Sequence, residues 1–194
     1  MIYWLGWLAF KLIFTTLYRR QTSGLNNLPQ AGPYILAANH LSYADPPLVG
    51  TCIRKQIYFI AKKQLFKIPI LGWLIKHTNA FPVDRDAVDI SALKSALKIL
   101  QNGNILLIFP EGTRYKPGKT RKLKNGAAML AIATNLPVIP VAVINSDNLF
   151  KFRRLKVKFG TPLKFDSKEN YDTITERIMS EIESMKDDTD RCSI

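Results

Sequence analysis

Short apolar runs alternate along the chain with longer stretches of helical periodicity. The short runs are typical of β-strands and lie at residues 34–38, 57–61, 104–110, 137–144 and 155–160. Helices are expected at residues 86–103, 124–135 and 171–186. In the first of these, apolar residues recur at positions 90, 93, 97 and 100, which is the spacing of one helix face. The alternation predicts an α/β fold, a single layered domain with a largely buried sheet.

Two positions are predicted to mark helix ends. Gly103 follows the helical stretch 86–103 and is expected to close it as a C-terminal cap. Asp45 and Pro46 predict a helix start, with Asp45 as the N-cap and Pro46 at the first helical position.

The first twenty residues form an apolar segment that ends abruptly at Arg19 and Arg20. A helix over residues 2–18 would be about 26 Å long, slightly short of the roughly 30 Å hydrocarbon core of a bilayer. Lys11, near its middle, disfavours a plain membrane span, whereas Trp4 and Trp7 favour the headgroup level. We expect a helix partly sunk in one leaflet, with the arginine pair on the cytoplasmic face of the membrane.

A second apolar segment covers residues 65–77, LFKIPILGWLIKH, with lysines on both sides. It is either another lipid-facing segment or an ordinary buried helix with a kink at Pro69. His77, at its end, is expected to be a helix-end or surface residue without a role in chemistry.

Composition fits one domain of ordinary size with a terminal accessory. The chain has 194 residues, of which 47% are apolar. The expected division is a membrane-associated helix at 1–20, the main domain at 21–186 and a disordered tail at 187–194. Only Cys52 and Cys192 are present, without a pairing pattern, and the two histidines are too few for a zinc site. We therefore expect a reducing compartment and no metal.

The net charge of +13 indicates a negatively charged partner. Nucleic acid, anionic lipid and phosphorylated substrates all qualify on charge alone. Much of the excess lies in one basic stretch, residues 115–124, YKPGKTRKLK.

Two polar loops follow predicted strands, where ligands collect in open α/β sheets. One reads NHLSYAD and contains His40 with Asp45 five residues later, an arrangement that makes a base at neutral pH or simply a satisfied loop histidine beside a helix cap. The other reads FPEGTR and presents the carboxylate of Glu111 and the guanidinium of Arg114, which form either part of a site or a bare salt bridge. Arg85 suits a phosphate, or pairs with a neighbouring aspartate.

Four stretches, NHLSYAD, FPVDR, FPEGTR and VIPVAV, occur in this order. With them the sequence resembles the 1-acyl-glycerol-3-phosphate acyltransferase family of glycerolipid synthesis, over roughly residues 28–165. The resemblance implies the layered αβ domain of the glycerolipid acyltransferases with an N-terminal membrane-associated helix. It also implies transfer of a fatty acyl group from an acyl thioester to the sn-2 hydroxyl of lysophosphatidic acid, giving phosphatidic acid.

The resemblance assigns roles to individual residues. His40 would be the general base and Asp45 would hold its tautomer. Acceptor glycerol and phosphate would contact Arg85, Glu111, Gly112, Thr113 and Arg114. Acyl-donor binding or support of the site would fall to the segment that includes Val138, Ile139 and Pro140.

The resemblance also implies the partners, and the sequence departs from the family pattern at one position. The acyl donor would be acyl-CoA or an acyl-carrier protein used as substrate, with no bound cofactor, and the positive surface would meet an anionic leaflet. The family often has Gly where Asn79 stands, and Asn tolerates the left-handed conformation nearly as well. Backbone N–H groups near Gly112 are one guess for an oxyanion hole.

Other functions stay open at this point. A nucleic-acid-binding module would explain the charge but not the apolar N-terminus, and no nucleic-acid motif is present. A serine hydrolase lacks a G-x-S-x-G elbow, which leaves Ser42 as the candidate nucleophile. A membrane-binding protein without activity, or a sister acyltransferase for glycerol-3-phosphate or another lysophospholipid, would share the same motifs.

Overall fold

One sheet of seven strands organises the chain. The computed structural model describes residues 2–84, 89–114 and 123–191. The strands are β1 (Gln21–Ser23), β2 (Ile35–Ala38), β3 (Ile57–Lys62), β4 (Ala80–Val83), β5 (Ile105–Ile108), β6 (Val138–Ile144) and β7 (Lys156–Phe159). The helices are α1 (Ile2–Thr16), α2 (Asp45–Gly50), α3 (Pro69–His77), α4 (Ile90–Gln101), α5 (Gly126–Thr134) and α6 (Tyr171–Arg191). The α/β prediction is confirmed.

The strand order is β1-β7-β6-β2-β5-β3-β4. The strands from β6 to β4 are parallel to their neighbours, β7 pairs antiparallel with β6, and β1 is parallel to β7. The five strands expected from the sequence are all present. Two edge strands are additional: β1 has the polar sequence QTS, and β4 contains Pro82, so neither carries the apolar signal of a central strand.

Each face of the sheet has its own apolar core, because successive residues of a strand point to opposite faces. On β2, Leu36 and Ala38 belong to the cluster that also contains Phe14 of α1 and Leu48 of α2. Ile35 and Ala37 point the other way, into the cluster formed with α4, α5 and α6. The central strands are therefore covered by helices on both faces.

The observed helix ends refine the predicted ones. Helix α4 begins at Ile90, with Asp89 as N-cap, and residues 86–88 of the predicted helix lie outside the described residues. Gly103 has φ 80°, and its N–H donates to the carbonyl of Leu100 at 3.0 Å, so the predicted C-terminal cap is confirmed. Helix α6 continues to Arg191, five residues past the expected end, and residues 192–194 lie outside the description.

Helix α1 packs on the sheet through one face. Phe14 is buried in the core, and the indole N–H of Trp7 donates to the carbonyls of Gly50 and Ile53 at 3.1 and 3.0 Å. The opposite face leaves large apolar side chains exposed, namely Trp4, Leu5, Leu8, Leu12 and Ile13. Among the described helices, none combines the length and the apolar character needed to cross a bilayer.

Helix α3 is not the buried, kinked helix that was one alternative for residues 65–77. Pro69 is the first helical residue, where its missing N–H costs nothing, so no kink forms. Ile70 is 83% exposed and Trp73 is 54% exposed. His77 ends the helix and its Nδ1 lies 2.8 Å from the carbonyl oxygen of Trp73, as expected of a helix-end residue.

Candidate functional site

The candidate site lies where β2 and β5 end side by side. Ala37 of β2 is in register with Ile108 of β5, and both strands run in the same direction. The loop NHLSYAD leaves β2 and the loop FPEGTR leaves β5, so the two motifs meet although about 70 residues separate them in the sequence.

His40 is held in one orientation by three neighbours. Its Nδ1 lies 2.9 Å from Oδ2 of Asp45, and only 6% of the residue is exposed. Its ring stacks on Phe109, with the centroids 4.2 Å apart and an interplanar angle of 24°. Its backbone N–H donates to Oε1 of Glu111 at 3.0 Å. Because Asp45 is bound to Nδ1, the ring nitrogen that remains for a substrate is Nε2.

Asp45 is fully buried, and its carboxylate gathers donors from two loops. Besides His40, Oδ2 accepts the backbone N–H groups of Leu41 at 2.6 Å and Ser42 at 2.8 Å. Oδ1 accepts the hydroxyl of Ser146 at 2.6 Å. A buried carboxylate with this many donors is fixed in place and satisfied.

The predicted N-cap role of Asp45 is wrong. Asp45 is the first residue of α2, Ala44 precedes the helix, and Pro46 stands at the second helical position. The carboxylate turns away from the helix and bonds to the loop that precedes it. The second role expected for Asp45, accepting from the ring of His40, agrees with the 2.9 Å contact.

Asn39 ties the His40 loop to the neighbouring strand β6. Its amide nitrogen donates to the carbonyl of Val143 at 2.9 Å, and its side-chain oxygen accepts the N–H of the same residue at 2.7 Å. Both groups are buried, so these bonds stay in a medium of low dielectric constant, where they are strong. The backbone just before His40 is thereby fixed to the centre of the sheet.

The FPEGTR loop turns sharply at Gly112. Gly112 has φ 62°, in the left-handed region, and its N–H donates to the carbonyl of Phe109 at 2.9 Å. That N–H is therefore already used inside the turn. The guess that it contributes to an oxyanion hole is not supported by this geometry.

Arg114 contacts the His40 loop through Tyr43. Its guanidinium carbon lies 3.7 Å from the centroid of the Tyr43 ring, and Nη2 donates to the Tyr43 hydroxyl at 2.9 Å. Within the described residues, Arg114 contacts Tyr43 rather than the carboxylate of Glu111, so the bare salt bridge was the wrong alternative. Thr113, between them, is exposed.

Three further residues expected at the site belong to β6 rather than to the two loops. Val138, Ile139 and Pro140 are buried in β6, where they are in register with Ile35, Leu36 and Ala37. Val138 and Ile139 are level with the start of β2, and Pro140 is level with Ala37, whereas His40 lies past the end of β2. Arg85 and residues 115–122 of the basic stretch are outside the described residues.

Comparison with known proteins assigns a family to this arrangement. The family model described as Acyltransferase matches residues 19–144, which is more than half of the chain and includes both motif loops. The chain belongs to the acyltransferase family.

Curated acyltransferases resemble the chain over different shares of their length. A 1-acyl-sn-glycerol-3-phosphate acyltransferase of Bacillus subtilis is 31% identical over 193 residues, which cover 94% of this chain and 96% of the relative. One of Streptococcus pneumoniae is also 31% identical, but the match covers 80% of this chain and 61% of that protein.

A solved acyltransferase has the same fold. The crystal structure of the 1-acyl-sn-glycerophosphate acyltransferase of Thermotoga maritima superposes with a TM-score of 0.70 at 32% identity. The match covers 95% of this chain and 78% of that chain. The resemblance noted from the motifs is confirmed.

The described residues do not favour a serine hydrolase. The hydroxyl oxygen of Ser42 accepts the backbone N–H of Ala44 at 2.9 Å, and the Nδ1 edge of His40 faces Asp45 instead. Within the described residues, no group of three or more His, Cys, Asp and Glu side chains could hold a metal ion.

Asn79, which stands just before the FPVDR stretch where the family often has Gly, has φ 64° and so adopts the left-handed conformation.

Three residues of this acyltransferase were missed by sequence reasoning. Asn39 and Tyr43 lie inside the motif loop, yet their partners are distant in sequence and leave no periodic signal. Ser146 lies in a short polar stretch directly after β6. The rule that polar residues after a parallel strand face the ligand could have found Ser146, because β6 neighbours β2.

Proposed function

We propose that the chain transfers a fatty acyl group from an acyl thioester to the sn-2 hydroxyl of 1-acyl-glycerol-3-phosphate, giving phosphatidic acid. The observation that carries the proposal is the contact between the two motif loops. The loop with the His40–Asp45 pair is joined to the turn from Glu111 to Arg114 by the hydrogen bond from the His40 backbone N–H to Glu111. A base and a cation for an acceptor phosphate then lie on adjoining loops.

His40 acts as the general base in this mechanism. Its Nε2 takes the proton of the acceptor hydroxyl as the hydroxyl oxygen attacks the thioester carbonyl carbon. The carbon–sulfur bond breaks when the tetrahedral intermediate collapses, and the imidazolium of His40 returns the proton to the leaving thiolate. No acyl-enzyme forms, so no nucleophilic Ser or Cys is needed.

Asp45 keeps the ring of His40 ready for this step. Its carboxylate accepts a hydrogen bond from the Nδ1–H group, which leaves the lone pair on Nε2, and its negative charge stabilises the imidazolium that forms. Its other three donors are Leu41, Ser42 and Ser146. They prevent the carboxylate from turning away during the reaction.

The acceptor phosphate binds to the guanidinium of Arg114. Arg114 is held by Tyr43 and has no carboxylate partner among the described residues, so its remaining N–H groups are available to an anion. The hydroxyl of Thr113 lies on the same turn and completes the acceptor site, the left-handed backbone of Gly112 shapes that turn, and Glu111 fixes the position of His40. Arg85 is proposed to assist in binding the acceptor phosphate, because it belongs to the family motif FPVDR.

The segment that includes Val138, Ile139 and Pro140 is proposed to support the site rather than to touch the acyl donor. All three residues are buried in β6, the strand to which Asn39 is bonded through Val143. The donor is acyl-CoA or an acyl-carrier protein, both of which are anionic and suit a chain of net charge +13.

Helix α1 is proposed to lie in one leaflet of an anionic membrane, on its cytoplasmic face, with residues 21–186 as the acyltransferase domain beside it. The support is the exposed apolar face of α1, where Leu5, Leu8 and Leu12 are each about 60% exposed, and the exposed Ile70 and Trp73 of α3. Burial of such side chains in lipid contributes about 25 cal/mol per Å².

The membrane proposal is tested by vesicle flotation. The double variant Leu8→Asp, Leu12→Asp should remain in the aqueous fraction with vesicles that contain phosphatidylglycerol, whereas wild type should float. Ile90→Asp is the matched control, since Ile90 is 62% exposed on α4 at the other face of the sheet. Equal flotation of the double variant and wild type would show that α1 is not the membrane contact.

The activity is tested by acyl transfer in neutral detergent micelles. Lysophosphatidic acid, glycerol-3-phosphate and lysophosphatidylcholine are offered separately, each with an acyl-CoA and with an acyl-carrier-protein donor. Phosphatidic acid formed from lysophosphatidic acid with either donor would support the proposal and identify the donor. Turnover only of another acceptor would favour the sister enzyme, and no turnover with any pair would overturn the assignment.

A further inference from the structure

A cleft of about 520 Å³ lies beside α1, away from His40. Its lining comes from α1, from the segment 20–28 that follows it, and from residues 51–54 beyond the end of α2. Helix α2 begins at Asp45, next to His40, and its other end meets Trp7 of α1 through the bond to Gly50. The cleft is thus at the far end of α2 from the proposed catalytic pair.

Three cations line this cleft, namely Lys11, Arg20 and Arg54. The lining contains no Asp or Glu, and none of the three takes part in an ion pair with any described residue. Lys11 lies over the ring of Trp7 with its Nζ 4.7 Å from the centroid, and Nη1 of Arg20 donates to the Thr51 hydroxyl at 2.6 Å. Both charges are positioned by neutral groups, and among the described residues neither has a counter-charge.

Apart from Thr22, Thr51 and Cys52, the rest of the cleft wall is apolar. Trp7, Leu25, Leu28 and Ile53 contribute most of it. The indole of Trp7 is fixed by its two bonds to the carbonyls of Gly50 and Ile53, so this wall is preformed. Three unpaired cations beside an apolar wall match a ligand that has an anionic head and an acyl chain.

The cleft adjoins the exposed apolar face of α1. Trp4, Leu8 and Lys11 are spaced four and three residues apart, so they lie along one side of the helix. Trp4 is 40% exposed and Leu8 is 59% exposed, whereas Lys11 is half-buried at the cleft. A lipid that approaches along this side of α1 can therefore place its phosphate beside Lys11.

We propose that this cleft is a binding site for one anionic phospholipid, with its phosphate among Lys11, Arg20 and Arg54 and an acyl chain against Trp7, Leu25 and Leu28. The site is separate from the acceptor site at Arg114. Zwitterionic lipid binds less well, because its choline or ethanolamine group adds a positive charge to a cleft whose described lining offers no carboxylate to receive it. The proposal concerns binding and does not depend on the proposed activity.

Native mass spectrometry of the full chain in neutral detergent micelles tests the site. Phosphatidylglycerol is the probe, since it is neither substrate nor product of the proposed reaction, and phosphatidylcholine is the zwitterionic comparison. Wild type should bind one phosphatidylglycerol, with phosphatidylcholine bound at least about tenfold more weakly. The double variant Lys11→Gln, Arg54→Gln should bind phosphatidylglycerol about tenfold more weakly than wild type, because two charge-assisted contacts are lost.

Two single variants, each of which removes one positive charge outside the cleft, serve as controls. Arg19→Gln alters an exposed cation next to the cleft that does not line it, and Arg114→Gln alters the acceptor site. Both should keep wild-type binding of phosphatidylglycerol. Melting temperatures within a few degrees of wild type would show that the variants fold.

Four results would overturn the proposal. Wild-type affinity in the cleft variant would show that these cations do not hold the lipid, and equal affinity for phosphatidylcholine would remove the charge argument. Loss of binding in Arg114→Gln would move the lipid to the acceptor site. Displacement of phosphatidylglycerol by an equal concentration of inorganic phosphate would show that the cleft binds free phosphate instead of a lipid.

Discussion

The two halves of the site are built in opposite ways. The half with His40 and Asp45 is buried, and its polar groups have partners from three parts of the chain. The half with Tyr43 and Arg114 is held by one hydrogen bond and one stacking contact, and Tyr43 is 64% exposed. Proton transfer needs a fixed geometry, whereas an acceptor that enters and leaves needs an open rim. Substitutions in the buried half should therefore lower kcat, and those in the exposed half should raise KM for the acceptor.

Asp45→Asn should have the largest effect among the partners of His40. The amide has no charge to stabilise the imidazolium and can bind the wrong tautomer, so kcat should fall by about a hundredfold or more with little change in KM. Asp147→Asn is the control, since Asp147 is an exposed carboxylate paired with Arg153 at 2.7 Å. A similar loss in both variants would indicate a general charge effect and contradict the role of Asp45.

Ser146→Ala should weaken the buried half without destroying it. The variant removes the 2.6 Å bond to Oδ1 of Asp45 and leaves the bond from His40 to Oδ2. We expect kcat to fall about tenfold, the usual worth of a hydrogen bond to a charged group, while KM stays near wild type. Ser95→Ala, on the exposed face of α4, should leave both constants unchanged. An increase in KM without a fall in kcat would show that Ser146 contributes to substrate binding and would contradict its role in positioning Asp45.

Arg114→Lys should break the exposed half selectively. Lysine keeps the charge but loses the planar fork, so KM for lysophosphatidic acid should rise by about fivefold to tenfold while kcat changes little. Tyr43→Phe removes only the hydroxyl contact and should raise KM about twofold, whereas Tyr43→Ala also removes the stacking and should approach the Arg114 variant. Steady-state kinetics across acceptor concentrations measures this, and a drop in kcat at constant KM would contradict the division.

Asp89→Asn should lower stability without changing kcat or KM, so its effect on activity should be the smallest of these variants. Hydrogen bonds from the backbone of Asp84, the hydroxyl of Ser91 and the backbone of Ala92 lower the pKa of this carboxyl to about 2. Because the pKa is lowered on folding, its stabilisation is complete above about pH 4. It is lost as the pH falls through about 2.

Acid unfolding followed by circular dichroism measures the Asp89 effect. Wild type should lose stability between pH 4 and 2 more steeply than Asp89→Asn, which keeps a capping side chain but has no charge to protonate. Glu176→Gln, an exposed carboxylate on α6, should follow the wild-type curve. Identical curves for wild type and the Asp89 variant would show that the cap charge does not contribute.

The elements with a strong periodic pattern were predictable, and the site was predictable only in part. The five apolar strands, the cap at Gly103 and the meeting of the two motif loops follow from the sequence. The edge strands β1 and β4 do not, because QTS and AFPV carry no apolar alternation. Ser146 contacts a carboxylate 101 residues away, and such a contact depends on strand order, which the sequence pattern leaves open.

Local rules also competed at one motif position. Asp before Pro predicted a helix cap at Asp45, yet the carboxylate bonds to Leu41, Ser42 and His40 on the side of the loop. These neighbours and the distant hydroxyl of Ser146 together satisfy the buried carboxylate, and an unpaired buried charge is costly. The capping rule failed because it considers only the residues that follow the carboxylate, whereas its partners here precede it or come from another loop.

The most direct test of the central claim is the rate of acyl transfer by His40→Ala beside wild type and His77→Ala. All three are assayed with lysophosphatidic acid at saturation in neutral micelles, and their folding is compared by thermal melting. If His40 is the base, kcat of its variant should fall by about a hundredfold to ten-thousandfold, while His77→Ala, altered at the exposed end of α3, should keep the wild-type rate. Wild-type turnover by a folded His40→Ala protein would contradict the mechanism.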